Sequence, residues 1–171
     1  MALLAIDPGD TGWLSVLGTE GVWQVIPMPS KVVNFTTASK KNRKRSAVDF
    51  NYTVAASYVA DFKRWCRRTR RRPIVVYESS NPRPFQSVNS TRTQIVGIEM
   101  WPILAEAYRV ECFAVDSGQW KRPMRLSSDK QKSLTQCQEL CPELVVENRD
   151  GMAESVLLGY YFLRDRKEDY G

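Results

Sequence analysis

The first 28 residues carry three short apolar runs, 2–7 (ALLAID), 12–18 (GWLSVLG) and 22–28 (VWQVIPM), each of strand length and bounded by turn-forming or charged residues. Pro8-Gly9 stops the first run directly after Asp7, and Gly18-Thr19-Glu20-Gly21 reads as a hairpin turn between the second and third. An antiparallel meander is expected at this end of the chain. Residues 29–46 are polar and basic and read as a loop. Beyond them Val48, Tyr52, Ala55, Tyr58, Val59, Phe62 and Trp65 recur at three- and four-residue steps, as in a helix with one apolar face.

The run RRTRRRP ends that helix, and residues 74–77 form a compact buried-type strand that delivers Glu78. SSNPRPFQSVNS is turn-rich, and a helical pattern follows over 92–108, where Pro102 predicts a kink or break at Trp101. Residues 110–115 read as a strand and 117–127 as a loop carrying Gln119-Trp120-Lys121-Arg122. Ser127 or Ser128 is expected to cap a helix ending near Leu140. A last helix is expected from about Asp150, with Val156, Leu157, Tyr160, Tyr161 and Leu163 turned inward. Three antiparallel strands followed by alternating helices and strands define an α/β fold with a mixed sheet covered by helices. No repeat or long linker divides the 171 residues, so one domain over 1–171 is expected.

Composition narrows the chemistry. There is no histidine, which removes the usual general base and any Ser-His or Cys-His nucleophile. Cys66, Cys112, Cys137 and Cys141 fall in apolar or helical contexts and read as reduced thiols; without His or a second close pair, zinc ligation is not expected. No apolar run is long enough to span a membrane, and the opening MALLAIDPGD has no basic lead or cleavage signal, so a cytoplasmic location is expected. Trp13, Trp23, Trp101 and Trp120 are assigned to core or interface.

The net charge is +6, and it is segregated. Five of six residues over 40–45 are basic and seven of ten over 63–72, whereas the chain beyond Leu140 is predominantly acidic. For Lys40, Lys41, Arg43, Lys44 and Arg45, in a Ser/Asn-punctuated loop, contact with nucleic-acid phosphate is favoured. For 63–72, cations complementing a helix C-terminus are an equal alternative.

Four carboxylates carry the candidate chemistry. Asp7 and Glu78 each close a short apolar strand, and Asp150 and Glu154 lie one helical turn apart in RDGMAES. Singly, each has a plain structural explanation as a turn former, an arginine partner or a helix cap. Jointly, two acids at the ends of buried strands plus two at a helix start point to a metal centre, because such burial is costly without a counter-charge. Hard oxygen ligands favour Mg²⁺, with Mn²⁺ as substitute, and phosphodiester hydrolysis uses two such ions. Lys121 and Lys130 could stabilise charge on a scissile phosphate. Phe85, among Arg83 and Arg92, could stack on bases at an opened branch point, or anchor its own loop.

The ordered motifs AIDPGDTGW, VVYES and RDGMAES resemble the RuvC-type Holliday junction resolvases of the ribonuclease H-like superfamily, most closely their phage-encoded branch. The resemblance implies a ribonuclease H-like five-stranded mixed sheet, the first three strands antiparallel, and a homodimer that binds four-way DNA junctions and makes paired nicks with Mg²⁺. It also implies that Asp7, Glu78, Asp150 and Glu154 hold the metal and that Lys121 and Lys130 are the family's lysines after the fifth strand. Rival readings are a nuclease of the same fold acting on flaps, forks or RNA–DNA hybrids, and a non-catalytic junction binder. An actin-like or sugar-kinase ATPase, suggested by IDPGDTG alone, would need a second glycine-rich loop and a second domain; no nucleotide cofactor is expected.

Overall fold

The computed structural model describes residues 1–9, 12–36, 44–79, 88–127, 129–144 and 149–165. The meander is present as β1 (Ala2–Ile6), β2 (Trp13–Gly18) and β3 (Gly21–Pro27), each within a residue or two of its expected limits. With β6 (Pro73–Ser79) and β7 (Glu111–Asp116) they form a five-stranded sheet in the order β3-β2-β1-β6-β7. β1 pairs antiparallel with β2 and parallel with β6, and β6 pairs parallel with β7. β1 is thus the central strand. All five of its residues are buried, as expected for a strand covered on both faces.

Side-chain alternation sorts these strands into two cores. Leu3 and Ala5 on β1, with Ile74 and Val76 on β6, belong to one core, formed with α4 (Lys130–Leu140) and α5 (Asp150–Asp165). Ala2, Leu4 and Ile6, with Val75 and Tyr77, belong to the other, under α1 (Tyr52–Arg68) and α2 (Val88–Ala107). α5 lies almost fully inward: Met152, Ala153, Ser155, Leu158, Gly159 and Phe162 are buried beside Val156, Leu157 and Leu163, while Tyr160 and Tyr161 are only half-buried.

Four expectations are corrected. Residues 29–46 are not a loop: β4 (Ser30–Thr36) and β5 (Lys44–Phe50) pair antiparallel as a separate ribbon, with Thr36 opposite Lys44 and Phe35 opposite Arg45. VVNFT and SAVDF are rich in β-branched and aromatic residues, a strand signal masked by the basic residues between them. Val48 is consequently a strand residue, and the helix starts at Tyr52 behind an Asn51 cap whose Oδ1 accepts from Val54 N. α2 begins at Val88 and runs through Pro102 without a break, its Met100, Trp101 and Ala105 buried in the second core. Burial of that face outweighs the missing backbone bond. Finally, α4 is capped by Asp129, whose carboxylate accepts from Gln131 N at 3.0 Å, while Ser127 Oγ accepts from Asp129 N; Ser128 lies outside the described residues.

Trp101 and Trp120 are fully buried, Trp13 packs at the edge of the α5-side core, and Trp23 is 37% exposed. Among the described side chains the Trp101 indole N–H is the one buried polar group without a partner. The cysteines are free thiols, and burial pushes Cys66 up to about 11 and Cys112 and Cys137 to about 12.

A buried hydroxyl pair ties β2 to α5. Ser155 donates to Met152 O at 2.9 Å, so its single proton is committed and Ser15 is the donor in the 2.5 Å contact between the two hydroxyls. Ser155→Ala leaves the buried Ser15 hydroxyl without an acceptor, whereas Ser15→Ala leaves Ser155 still bonded to Met152. Urea denaturation is expected to show Ser155→Ala about 1–2 kcal/mol less stable than wild type and Ser15→Ala less affected; equal losses would contradict this assignment of donor and acceptor.

Candidate active site

The pairing register explains why two acids converge. Leu3 pairs with Ile74, Ala5 with Val76 and Ile6 with Tyr77, so one step further brings Asp7 alongside Glu78. By alternation both then face the core covered by α5, at the carboxyl ends of parallel strands, where α/β proteins commonly place their sites. Glu154, one turn into α5, is brought to them from above.

The loop after β1 is shaped for Asp7. Gly9 N–H donates to Asp7 Oδ1 at 3.4 Å, Gly12 N–H to Gly9 O at 2.9 Å, and Asp7 N–H to Trp13 O at 3.0 Å. A Cβ at Gly12 would stand 2.0 Å from the Asp7 carbonyl oxygen, so only glycine permits this closure. On the other side, β7 ends in a capping box: Asp116 Oδ1 accepts from Gly118 N at 2.8 Å while Gln119 Oε1 accepts from Asp116 N at 3.3 Å. The box starts the short helix α3 (Ser117–Lys121) inside the segment expected as a loop, and so sets Trp120 and Lys121.

Those two residues complete the site. Trp120 donates Nε1–H to Glu78 Oε2 at 2.9 Å, and Lys121 Nζ lies 3.3 Å from Glu78 Oε2 and 2.8 Å from Glu154 Oε2. Ser133, buried on α4, donates to Glu154 Oε1 at 3.4 Å. Lys121 thus holds a cationic position between two carboxylates. The contacts of Trp120 and Ser133 escape a sequence reading. Their signals are an indole that needs a buried acceptor, and the Ser133/Cys137 spacing that turns a hydroxyl to the buried side of α4.

Electrostatics follow from this crowding. Asp7 retains partial solvent contact yet is enclosed by protein on nearly every side; desolvation raises its pKa to about 7, aided by the charges of Glu78 and Glu154 and opposed by Gly9 N–H and Lys121. Burial also raises Glu78, with Lys121 pulling the other way. Burial lowers Lys121, but the attraction of Glu78 and Glu154 outweighs it and the net direction is up. Asp150, at the start of α5, pairs at 2.5 Å with the mostly exposed Lys130, which also feels the charges of Glu154 and Asp7.

Asp7, Glu78, Glu154 and Lys121 are therefore brought together, with Asp150 and Lys130 paired at the rim. The donor set fits Mg²⁺ or Mn²⁺ in kind: carboxylate oxygens only, with an excess of negative charge. Among the described residues, however, no group of three or more His, Cys, Asp or Glu stands ready to hold an ion, and the space between Glu78 and Glu154 belongs to the Lys121 ammonium. Lys44 and Arg45 lie on β5 and Arg92 on α2, with their side chains outside the described set; Lys40, Lys41, Arg43, Arg83 and Phe85 fall outside the described residues altogether.

The sheet order, the parallel β1–β6–β7 core and the helices on both faces define a ribonuclease H-like fold. Among solved structures, the chain is similar to Thermus thermophilus RuvC in complex with a Holliday junction substrate, with 12% identity, 96% of each chain covered and a TM-score of 0.51. A second Thermus thermophilus RuvC structure matches at 13% identity with the same coverage and TM-score. No protein-family model and no curated protein sequence matches the chain. No helix among the described residues is long and apolar enough to cross a membrane.

The raised pKa of Asp7 has a thermodynamic sign. Protonated Asp7 contributes stability that is fully present below pH 3.8 and lost as pH rises through about 7, because the folded state holds this proton more tightly than the unfolded chain. In metal-free buffer at pH 8, Asp7→Asn is expected to melt about 3–6 °C above wild type, with the gap closing toward pH 4. A variant melting at or below wild type at pH 8 would contradict the burial of a charged Asp7.

Proposed function

We propose that this chain is a Mg²⁺-dependent endonuclease that resolves four-way DNA junctions by paired nicks, acting as a homodimer. The observation that carries the reading is the meeting of Asp7, Glu78 and Glu154 at the carboxyl ends of the central strands, on a RuvC-like fold. The neighbour described in complex with a Holliday junction supports the substrate class, and the RDGMAES motif supports the phage-type branch. The exposed Ile95 and Ile103 of α2 offer apolar area for a two-fold contact, and a two-fold junction calls for two symmetric sites.

In this reading Asp7, Glu78 and Glu154 are the metal-holding carboxylates, with Asp150 joining from the helix start. Bound there, two Mg²⁺ ions would supply an activated water and neutralise the leaving 3′ oxygen. The protein's own groups do the positioning. Trp120 fixes one oxygen of Glu78, Ser133 and Lys121 orient Glu154, and the Gly9 amide steadies Asp7. Lys121, once other positive charge neutralises its two acids, is free to face a non-bridging phosphate oxygen, and Lys130 extends positive charge at the rim.

The test is cleavage of a mobile four-way junction, a fork, a flap, linear duplex and an RNA–DNA hybrid in Mg²⁺. Paired nicks concentrated on the four-way junction are expected, with Asp7→Asn at least about 10³-fold slower yet still binding junctions. Undiminished nicking by Asp7→Asn would remove the metal assignment; preferential cutting of flaps, forks or hybrid would replace junction resolution with another nuclease task. Replacing Lys40, Lys41, Arg43, Lys44 and Arg45 together is expected to weaken junction binding and flatten its salt dependence by several charges. An unchanged slope in a filter-binding titration would exclude this segment from phosphate contact.

A further inference from the structure

On the face opposite the acids, a groove of about 680 Å³ runs beside α1 over β2 and β3. Leu4, Val16 and Ile26 form its floor and Tyr58, Phe62 and Trp65 its helix wall, with Trp23 at the open edge and Arg64 and Arg68 at the rim. The indoles of Trp23 and Trp65 sit 4.9 Å apart at 59°, and the Arg71 guanidinium stacks 4.8 Å from the first and 5.6 Å from the second. Arg71 is not a groove-lining residue, and Glu20 holds it at 2.8 Å. Arg71 thus stacks on the aromatic pair without lining the groove, and Trp23 remains 37% exposed.

The charge around the groove is one-sided. Asp61, its single acid, is taken by Arg64 at 2.7 Å, while Arg67, Arg68 and Arg70 are exposed and make no ion pair among the described residues. Cations completing the α1 dipole account for Arg67 and Arg68. They do not account for Arg70, which adopts φ of 56° just after α1, a position where glycine is the unstrained choice; Arg109 and Arg125 share that conformation elsewhere in the fold. The turn at Arg70 leads into β6 at the end of the sheet opposite Asp7 and Glu78. Arg70 thus adds exposed positive charge just beyond Arg68 at the rim of the groove.

Rigid π faces flanked by unpaired guanidiniums match a single nucleic-acid strand, whose bases stack while its phosphates meet the cations. A lipid surface fits less well, because the aromatic area is recessed beside α1 and does not protrude. We propose that this groove binds single-stranded DNA, bases stacking on Trp23 and Trp65 and phosphates running along Arg68 toward Arg67 and Arg70. The choice of DNA over RNA rests on the nuclease reading; the groove itself does not.

The test uses the full chain in EDTA, which silences cleavage, with a labelled oligothymidylate followed by anisotropy and by photo-cross-linking. Wild-type protein is expected to bind, with cross-links in the peptides containing Trp23 or Trp65. Trp23→Ala should weaken binding about tenfold. Arg68→Glu, at an exposed position, should weaken it severalfold and flatten the salt dependence, whereas Arg164→Glu, also exposed and with the same change in net charge, should not. Equal binding by Arg68→Glu and Arg164→Glu, cross-links confined to the Lys121–Lys130 region, or co-sedimentation with phosphatidylserine vesicles without oligonucleotide binding would each overturn the proposal. Because no cleavage is measured, a protein inactive on junctions could still pass, and an active one could still fail.

Discussion

The constraint on which the rest depends is the strict alternation of side chains on β1 and β6, a parallel pair buried on both faces. A slip of β1 by one residue against β6 would turn Leu3 toward α1 and Leu4 toward α5 while Ile74 and Val75 kept their faces, so that neither core could close. It would also part Asp7 from Glu78. Packing therefore fixes the position of the acids more firmly than any contact they make themselves. The apolar residues beneath them set which face they share and how close they come.

That placement has an electrostatic consequence which the neighbouring elements answer. Three carboxylates at one end of a buried sheet repel one another and lose hydration, and the raised pKa values of Asp7 and Glu78 report that strain. Lys121 offsets part of it by standing between Glu78 and Glu154, and the Asp116 capping box is what aims Lys121 there from β7. A five-residue helix is too short to stabilise itself. It is held by its cap and by Trp120, whose burial and bond to Glu78 anchor it to the same site it serves.

The sequence was most legible where burial was complete. The unbroken runs LLAI and IVVY announce central strands, and an acid directly after each is conspicuous there. It was least legible where two signals competed. In 29–50 the basic residues outweighed the β-branched and aromatic content of both halves of the β4–β5 ribbon, and at Pro102 a local helix breaker was overruled by the packing of Met100, Trp101 and Ala105. The grouping of Asp7 with Glu78 and Glu154 followed from motif order, but the pairing of Asp150 on α5 with Lys130 on α4 is a contact between two helices that no local pattern encodes. The supporting contacts of Trp120 and Ser133 were hidden for the same reason.

The thiols divide as the cores do. Cys66 is buried between α1 and the sheet, Cys137 and Cys141 lie under α5, and all are held as protonated, unreactive groups well above neutral pH. Attack by an alkylating reagent therefore requires the surrounding layer to part first. The chain carries a natural clock on each side of its sheet, and the order in which the cysteines become modified records which layer lifts away first.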